Sequence, residues 1–209
     1  MSISTIDINA LRSAKVASEP FPYVIVPHFV RPDMMKAIET DYPPVDQPGS
    51  FPLASVKSGT TFKTLMDEIQ GPEMTAAIEE KFGIDLSKRP TMVTVRGRTD
   101  ATDGRIHTDS TSKLITVLIY FNGKWEKPSG RLRLLRSPDN LNDMVAEVPP
   151  DEGTLLAFRN QPNAWHGHEK YEGPRRAVQL NWVRDMAVVR KEQIRHRISA
   201  FFKGFRKGY

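Results

Sequence analysis

The chain has 209 residues, of which 39% are hydrophobic and 26% charged, and it contains no cysteine. That balance excludes a disordered chain, and no apolar run approaches the roughly 18 residues that a membrane helix needs. The lack of cysteine removes disulfides, thiolate metal ligands and cysteine nucleophiles together.

The formal net charge is +5. From Arg184 onward lie Arg190, Lys191, Arg195, Arg197, Lys203, Arg206 and Lys207, against only Asp185 and Glu192. The body is therefore near neutral and the excess positive charge belongs to the tail, so a nucleic-acid partner is not expected. The segment "MSISTIDINALRSAKVASEP" lacks the basic start and apolar block of a secretory signal, and the expected home is cytoplasmic.

In chain order, "FPYVIVPHFV" (21–30) alternates and is rich in strand formers, and Pro32 then opens "RPDMMKAIETDY" as a helix. Residues 43–60 are rich in proline, glycine and serine and read as a loop. "GPEMTAAIEEKFG" reads as a second helix, with Pro72 near its start and Gly83 at its end. After residue 90 the character turns to strands: "TMVTVRG", "KLITVLIYFN", "GRLRLL", "GTLLAFRN" and "RAVQLNWV". Asn122-Gly123 is a strong turn signal between two of them.

Helices first and many short strands after argue for an α+β fold, with a β-sandwich or double-sheet jelly roll backed by helices. We read one domain, 1–209, in three parts: N-terminal strand and helix support (1–90), a β core (91–185) and a basic C-terminal helix (186–209).

The chemistry centres on "RIHTDSTSK". His107 and Asp109, two apart on an extended segment, leave one face together. His166 follows 57 residues after Asp109, behind "NQPNAW". Two imidazoles and one carboxylate on one face of a metal leave open positions and suit non-haem Fe(II) working with O₂. An H-x-D pair by itself is a weak signal, since most such pairs are a solvated loop histidine beside an aspartate. The context separates the two, because "HTDSTSKLITVLIYFN", "SGRLRLL", "PPDEGTLLAFRN", "WHGH" and "GPRRAVQLNW" occur in that order. In this the chain resembles the Fe(II)/2-oxoglutarate-dependent dioxygenases, in the branch shared with prolyl 4-hydroxylases, over residues 91–185. "FPYVIVPHFVRPDMMKAI" is similar to that branch's usual N-terminal strand and helix.

The resemblance implies a double-stranded β-helix (jelly-roll, cupin-like) core, with iron held by His107, Asp109 and His166. It implies 2-oxoglutarate as co-substrate, O₂ as oxidant, and hydroxylation of an unactivated C–H bond with release of succinate and CO₂. Halogenating relatives replace the carboxylate by a small residue, so Asp109 points to hydroxylation. The far carboxylate of 2-oxoglutarate needs a cation nine or ten residues after the second histidine, and arginine stands at both places, Arg175 and Arg176. A guanidinium binds a carboxylate bidentately and stays charged when buried. If Arg175 points inward, so do Ala177, Gln179 and Asn181, leaving Val178, Leu180 and Trp182 for an apolar outer face. The family habit of a tryptophan six residues after the basic residue selects Arg176 instead, and both stay open.

Tyr120 matches a family tyrosine that hydrogen-bonds the same carboxylate, and is equally well a core aromatic. Arg96 falls where some relatives carry a second tyrosine, facing co-substrate or an anionic substrate. Ser129 stands where the family usually has glycine. His168 shares strand parity with His166 and is a decoy ligand, while His28 and His196 read as structural or surface residues.

In the tail, Ile194, Ile198, Phe201 and Phe205 recur at helical spacing among basic residues. This is either a helix laid on the core or an interfacial helix touching anionic lipid or an acidic partner, which would make the protein membrane-peripheral. Two other functions compete with the oxygenase: a catalytically silent jelly-roll module holding a sugar or peptide, and a metal hydrolase on the same ligands. Loops 43–60 and 97–106 are expected to shape the entrance. Neither they nor the strands identify the substrate, and a peptidyl residue, a small molecule and a saccharide all stay open.

Overall fold

In the computed structural model, which describes residues 4–190, helices occupy the first part of the chain and antiparallel sheet the second. The elements are α1 (Ile8–Ser13), β1 (Tyr23–Val26), α2 (Pro32–Asp41), β2 (Phe51–Pro52), a 3₁₀ turn (Leu53–Ser55), α3 (Thr60–Ile69) and α4 (Pro72–Phe82). They are followed by β3 (Thr91–Thr99), β4 (Lys113–Tyr120), β5 (Leu132–Leu135), β6 (Met144–Val148), β7 (Leu155–Arg159), β8 (His166–Gly167) and β9 (Gly173–Val183).

Local signals start and stop the helices. Asp7 caps α1 by accepting from the Ala10 amide at 2.9 Å. Pro32 and Pro72 sit in the first turns of α2 and α4, and Gly83 closes α4 in the left-handed conformation at φ 59°. Helix α3, which begins where the 43–60 loop ends, is capped from a distance: Asp41 at the end of α2 accepts from the Thr61 amide at 2.6 Å.

Among the described residues nine strands form two antiparallel sheets, a six-stranded one in the order β1-β7-β4-β9-β3-β2 and a three-stranded one in the order β6-β5-β8. Strand alternation divides the large sheet into two apolar faces. Ile115, Val117, Ile119, Leu155, Ala157, Val178, Leu180 and Trp182 pack on the helix side with Leu11, Ile38, Phe62, Leu65, Met74 and Ile78. Burying each such side chain stabilises the fold by about 1.5–3 kcal/mol, which is what holds the helices on the sheet. The other face contributes Tyr120, Leu156, Phe158 and Ala177 to a second cluster with Leu132, Leu134 and Val148 of the small sheet. The site lies on this inner face.

Asn122-Gly123 does not close a hairpin, because β4 pairs with β7 and β9 while β5 belongs to the other sheet. The chain changes sheets there, and the Asn122 side chain pins the crossing by accepting from the Arg176 amide at 2.8 Å and donating to its carbonyl at 3.1 Å. Between β3 and β9 a bulge at Arg96/Arg98 interrupts the ladder, and the Tyr42 hydroxyl lies 2.8 Å from the Arg96 carbonyl and 2.9 Å from that of Ala177. Residues 186–190 are helical, and the rest of the expected C-terminal basic helix lies outside the described residues. Among the described residues no helix is long and apolar enough to cross a membrane.

Candidate metal centre

His107 lies in the connection between β3 and β4 and forms an isolated antiparallel bridge with His166 on β8. Each of the two amides donates to the other's carbonyl at 3.0 Å, and the imidazole centroids are 4.3 Å apart. The Nδ1 of His107 lies 2.9 Å from the Arg105 carbonyl and that of His166 2.9 Å from the Ala164 carbonyl. A carbonyl only accepts, so Nδ1 carries the proton in both rings and Nε2 keeps a free lone pair, the tautomer a metal ligand needs. One ligand atom from each of His107, Asp109 and His166 falls within 4.8 Å of the others.

Electrostatics keeps His166 and Asp109 in ligand form. Burial, and then the neighbouring His107, push His166 down to about 4, so it is neutral near pH 7. Burial of Asp109 opposes its charge, but the Lys113 ammonium, His166 and two hydrogen bonds outweigh it and hold the carboxyl below its usual range. Lys113 Nζ donates to Oδ1 at 2.7 Å and Thr116 Oγ1 to Oδ2 at 2.5 Å.

Further along the inner face, β9 turns Arg175 inward and Arg176 outward. Arg175 is 5% exposed and donates through Nε to the Gly130 carbonyl at 2.8 Å, with its guanidinium 5.2 Å from the Tyr120 ring centroid. Arg176 is exposed and lies over Tyr42, 5.5 Å from its ring centroid. The Tyr120 hydroxyl and the Arg175 Nη2 are both buried with no partner at full hydrogen-bond geometry, and the two side chains lie close enough to interact with each other. An unpartnered buried donor is strongly disfavoured, and two of them side by side fit an acceptor with two oxygens, such as a carboxylate. Burial raises the pKa of Tyr120 and lowers that of Arg175, so the phenol stays a donor.

Arg96 projects from β3, paired with Asp103 at 2.9 Å and donating to the Ser50 hydroxyl at 3.1 Å. His168 is buried, with Nδ1 2.9 Å from the Glu169 carbonyl, and is not among the three ligand-distance residues. His28 occupies a turn at φ 53°, and His196 lies outside the described residues. The Ser129 carbonyl accepts from the Trp125 indole at 2.9 Å. A cavity of about 410 Å³ opens beside the cluster, lined among others by Thr94, His107, Asp109, Lys113, Gln179 and Asn181, with Ser50 contributed by the 43–60 loop.

Sequence reasoning missed Lys113 and Thr116. A signal for Thr116 was there: it shares inward parity with Tyr120 in a strand that is otherwise apolar, and a buried hydroxyl needs a partner.

Residues 96–184 match the model of the 2OG-Fe(II) oxygenase superfamily. The match covers less than half of the chain and supports a 2OG-Fe(II) oxygenase reading of that stretch. It contains all three ligand-distance residues, together with Tyr120 and Arg175. The match and the His107–Asp109–His166 group together fit Fe(II), 2-oxoglutarate and O₂ as the cofactor set and a dioxygenase as the enzyme class. The fold is similar to that of a Pseudomonas putida prolyl-4-hydroxylase, at 15% identity and a TM-score of 0.53, over 85% of this chain and 90% of that one. It is also similar to a prolyl 4-hydroxylase from Phytophthora capsici, at 14% identity and a TM-score of 0.51, over 88% of this chain and 67% of that one. A comparison with curated protein sequences finds no match.

Proposed function

We propose that His107, Asp109 and His166 hold ferrous iron, that Arg175 and Tyr120 hold the far carboxylate of 2-oxoglutarate, and that the enzyme hydroxylates an unactivated C–H bond of a substrate entering the adjoining cavity. The observation that carries this reading is the pairing of two features on one face of a sheet. Three ligand atoms lie within 4.8 Å of one another, and two buried donors on the same inner face, the Tyr120 hydroxyl and Arg175 Nη2, lack a partner at full hydrogen-bond geometry. A hydrolase on the same metal has no use for the second feature, and a silent binding module has no use for the first.

When bound, iron with 2-oxoglutarate and O₂ supplies oxidative decarboxylation to succinate and CO₂ and the oxidant for the substrate C–H bond. The chain's own side chains do the rest. The two histidines present Nε2 because their Nδ1 protons are taken up by carbonyls 2.9 Å away. Asp109 contributes one negative charge, held in place by donors on both oxygens. Arg175 fixes the co-substrate's orientation and is itself fixed through Nε by Gly130. Arg96, tied to Asp103, sets the positive potential of the same region without being free to swing. Leu118, Leu156 and Ala177 line the inner face and keep water from the buried donors. Two antiparallel sheets enclosing a polar site support the double-stranded β-helix as the finer description of the core. The substrate is a peptidyl residue, a small molecule or a saccharide.

The test is succinate release from 2-oxoglutarate with Fe(II) under air across peptide, amino-acid and saccharide pools, followed by mass spectrometry for a gain of one oxygen atom. Succinate that requires Fe(II) and is lost in Asp109→Ala supports the proposal. Metal-dependent turnover that proceeds without O₂ overturns it in favour of hydrolysis.

A further inference from the structure

We propose that Gln179, Asn181 and Thr116 form a directed chain of hydrogen bonds that positions the Asp109 carboxylate for the metal, an inference that rests on the metal-site reading above. Thr116 on β4 and Asn181 on β9 are direct partners in the ladder, and both are 1% exposed. Their side chains meet on the inner face. Gln179 Nε2 lies 3.2 Å from Asn181 Oδ1, Asn181 Nδ2 lies 2.8 Å from Thr116 Oγ1, and Thr116 Oγ1 lies 2.5 Å from Asp109 Oδ2.

The polarity of the chain follows from its last member. An ionised carboxylate only accepts, so the single Thr116 proton is committed to Asp109. The Thr116 oxygen must then accept, which turns the Asn181 NH₂ toward it and the Asn181 carbonyl toward Gln179. Every member thus has one role, and none is free to reverse. Lys113 meets the other carboxylate oxygen at 2.7 Å, so both oxygens are held and the carboxylate plane cannot rotate.

Stability does not explain this choice of residues. Two buried polar side chains facing each other in a sheet stabilise no more than two apolar ones of the same shape, whereas removing only one leaves its partner stranded. A buried threonine–asparagine pair flanked by Ile115 and Val117 on one strand and by Leu180 and Trp182 on the other is therefore retained for what it points at. Partners of this kind set the orientation and basicity of metal ligands, and losing one lowers metal affinity about 10–100-fold.

The experiment is calorimetric titration of the metal-free full chain with Mn(II), paired with thermal melts, for wild type, Thr116→Val, Thr116→Ser, Asn181→Leu and the double variant Thr116→Val/Asn181→Leu. Thr116→Val should weaken Mn(II) binding about 10–100-fold and lower the melting temperature, because it strands the Asn181 amide. Thr116→Ser keeps the hydroxyl and should retain both. The double variant should regain the part of the melting temperature lost to the stranded Asn181 amide yet stay about 10–100-fold weak for Mn(II), since the apolar pair packs but no donor reaches Asp109 Oδ2. Asn181→Leu alone should weaken binding by less than Thr116→Val. A double variant that binds Mn(II) as tightly as wild type overturns the chain's positioning role and reduces it to packing. A wild type that does not bind Mn(II) overturns the metal centre itself, a different failure that the same titration tells apart.

Discussion

His107 and His166 face each other across an isolated two-residue bridge, joined by two backbone hydrogen bonds of 3.0 Å, with their rings 4.3 Å apart. The backbone, not the side chains, therefore sets the distance between two groups that repel when both are protonated. His166, and likewise the buried His168, are pushed down to about 4, in each case chiefly by burial. A histidine whose folded value lies below its unfolded value binds the proton more readily when unfolded. Their contribution is then complete above about pH 6.5 and is lost as the pH falls toward about 4. The metal-free protein should lose stability over that window, and His168→Gln should flatten the loss in urea melts taken at a series of pH values.

The buried donors at Arg175 and Tyr120 lead to a prediction that separates binding from stability. Arg175→Met removes the unpartnered Nη2 but also the donor to the buried Gly130 carbonyl, two opposing effects, so the melting temperature of the metal-free protein should change little. The variant should at the same time lose the thermal stabilisation that 2-oxoglutarate gives the Mn(II)-loaded wild type, and Arg176→Gln should keep it. Differential scanning fluorimetry with and without 2-oxoglutarate measures both.

Gly104 shapes the loop that carries the first histidine. Its φ is +90°, and a Cβ there would lie 2.5 Å from the His168 carbonyl and 2.6 Å from its Nδ1. Gly104→Ala therefore combines an unfavourable backbone with a collision against a buried ring, and should destabilise the protein by about 1–3 kcal/mol in urea unfolding.

The sequence was legible wherever one local rule decided the outcome. β3, β4, β5, β7 and β9 are apolar or β-branched runs bounded by turn residues, and Pro72 and Gly83 bracket α4 within its own segment. The parts that escaped depend on distant partners. Helix α3 has no side-chain cap of its own and takes one from Asp41, twenty residues before Thr61. Helix α1 spans only six residues, and β6 is a half-exposed edge strand, so neither carries a strong periodic signal. In the site, the H-x-D spacing with His166 marked out the residues that lie within ligand distance of one another. The choice between Arg175 and Arg176 was open because adjacent basic residues fit either strand parity. Trp182 against the helices and Arg175 under Gly130 show which parity the fold adopts. The strand pattern marks Thr116 only as a buried polar residue; its service to the site lies in Asn181 and Asp109, which only the ladder and the loop bring to it.

The central claim is that three side chains converge on one ferrous ion, and anaerobic titration with Fe(II) measures that directly. One equivalent should bind per wild-type chain, with affinity collapsing in each of His107→Ala, Asp109→Ala and His166→Ala while the fold, followed by circular dichroism, persists. Fe(II) binding that is unchanged in any one of the three variants would contradict it.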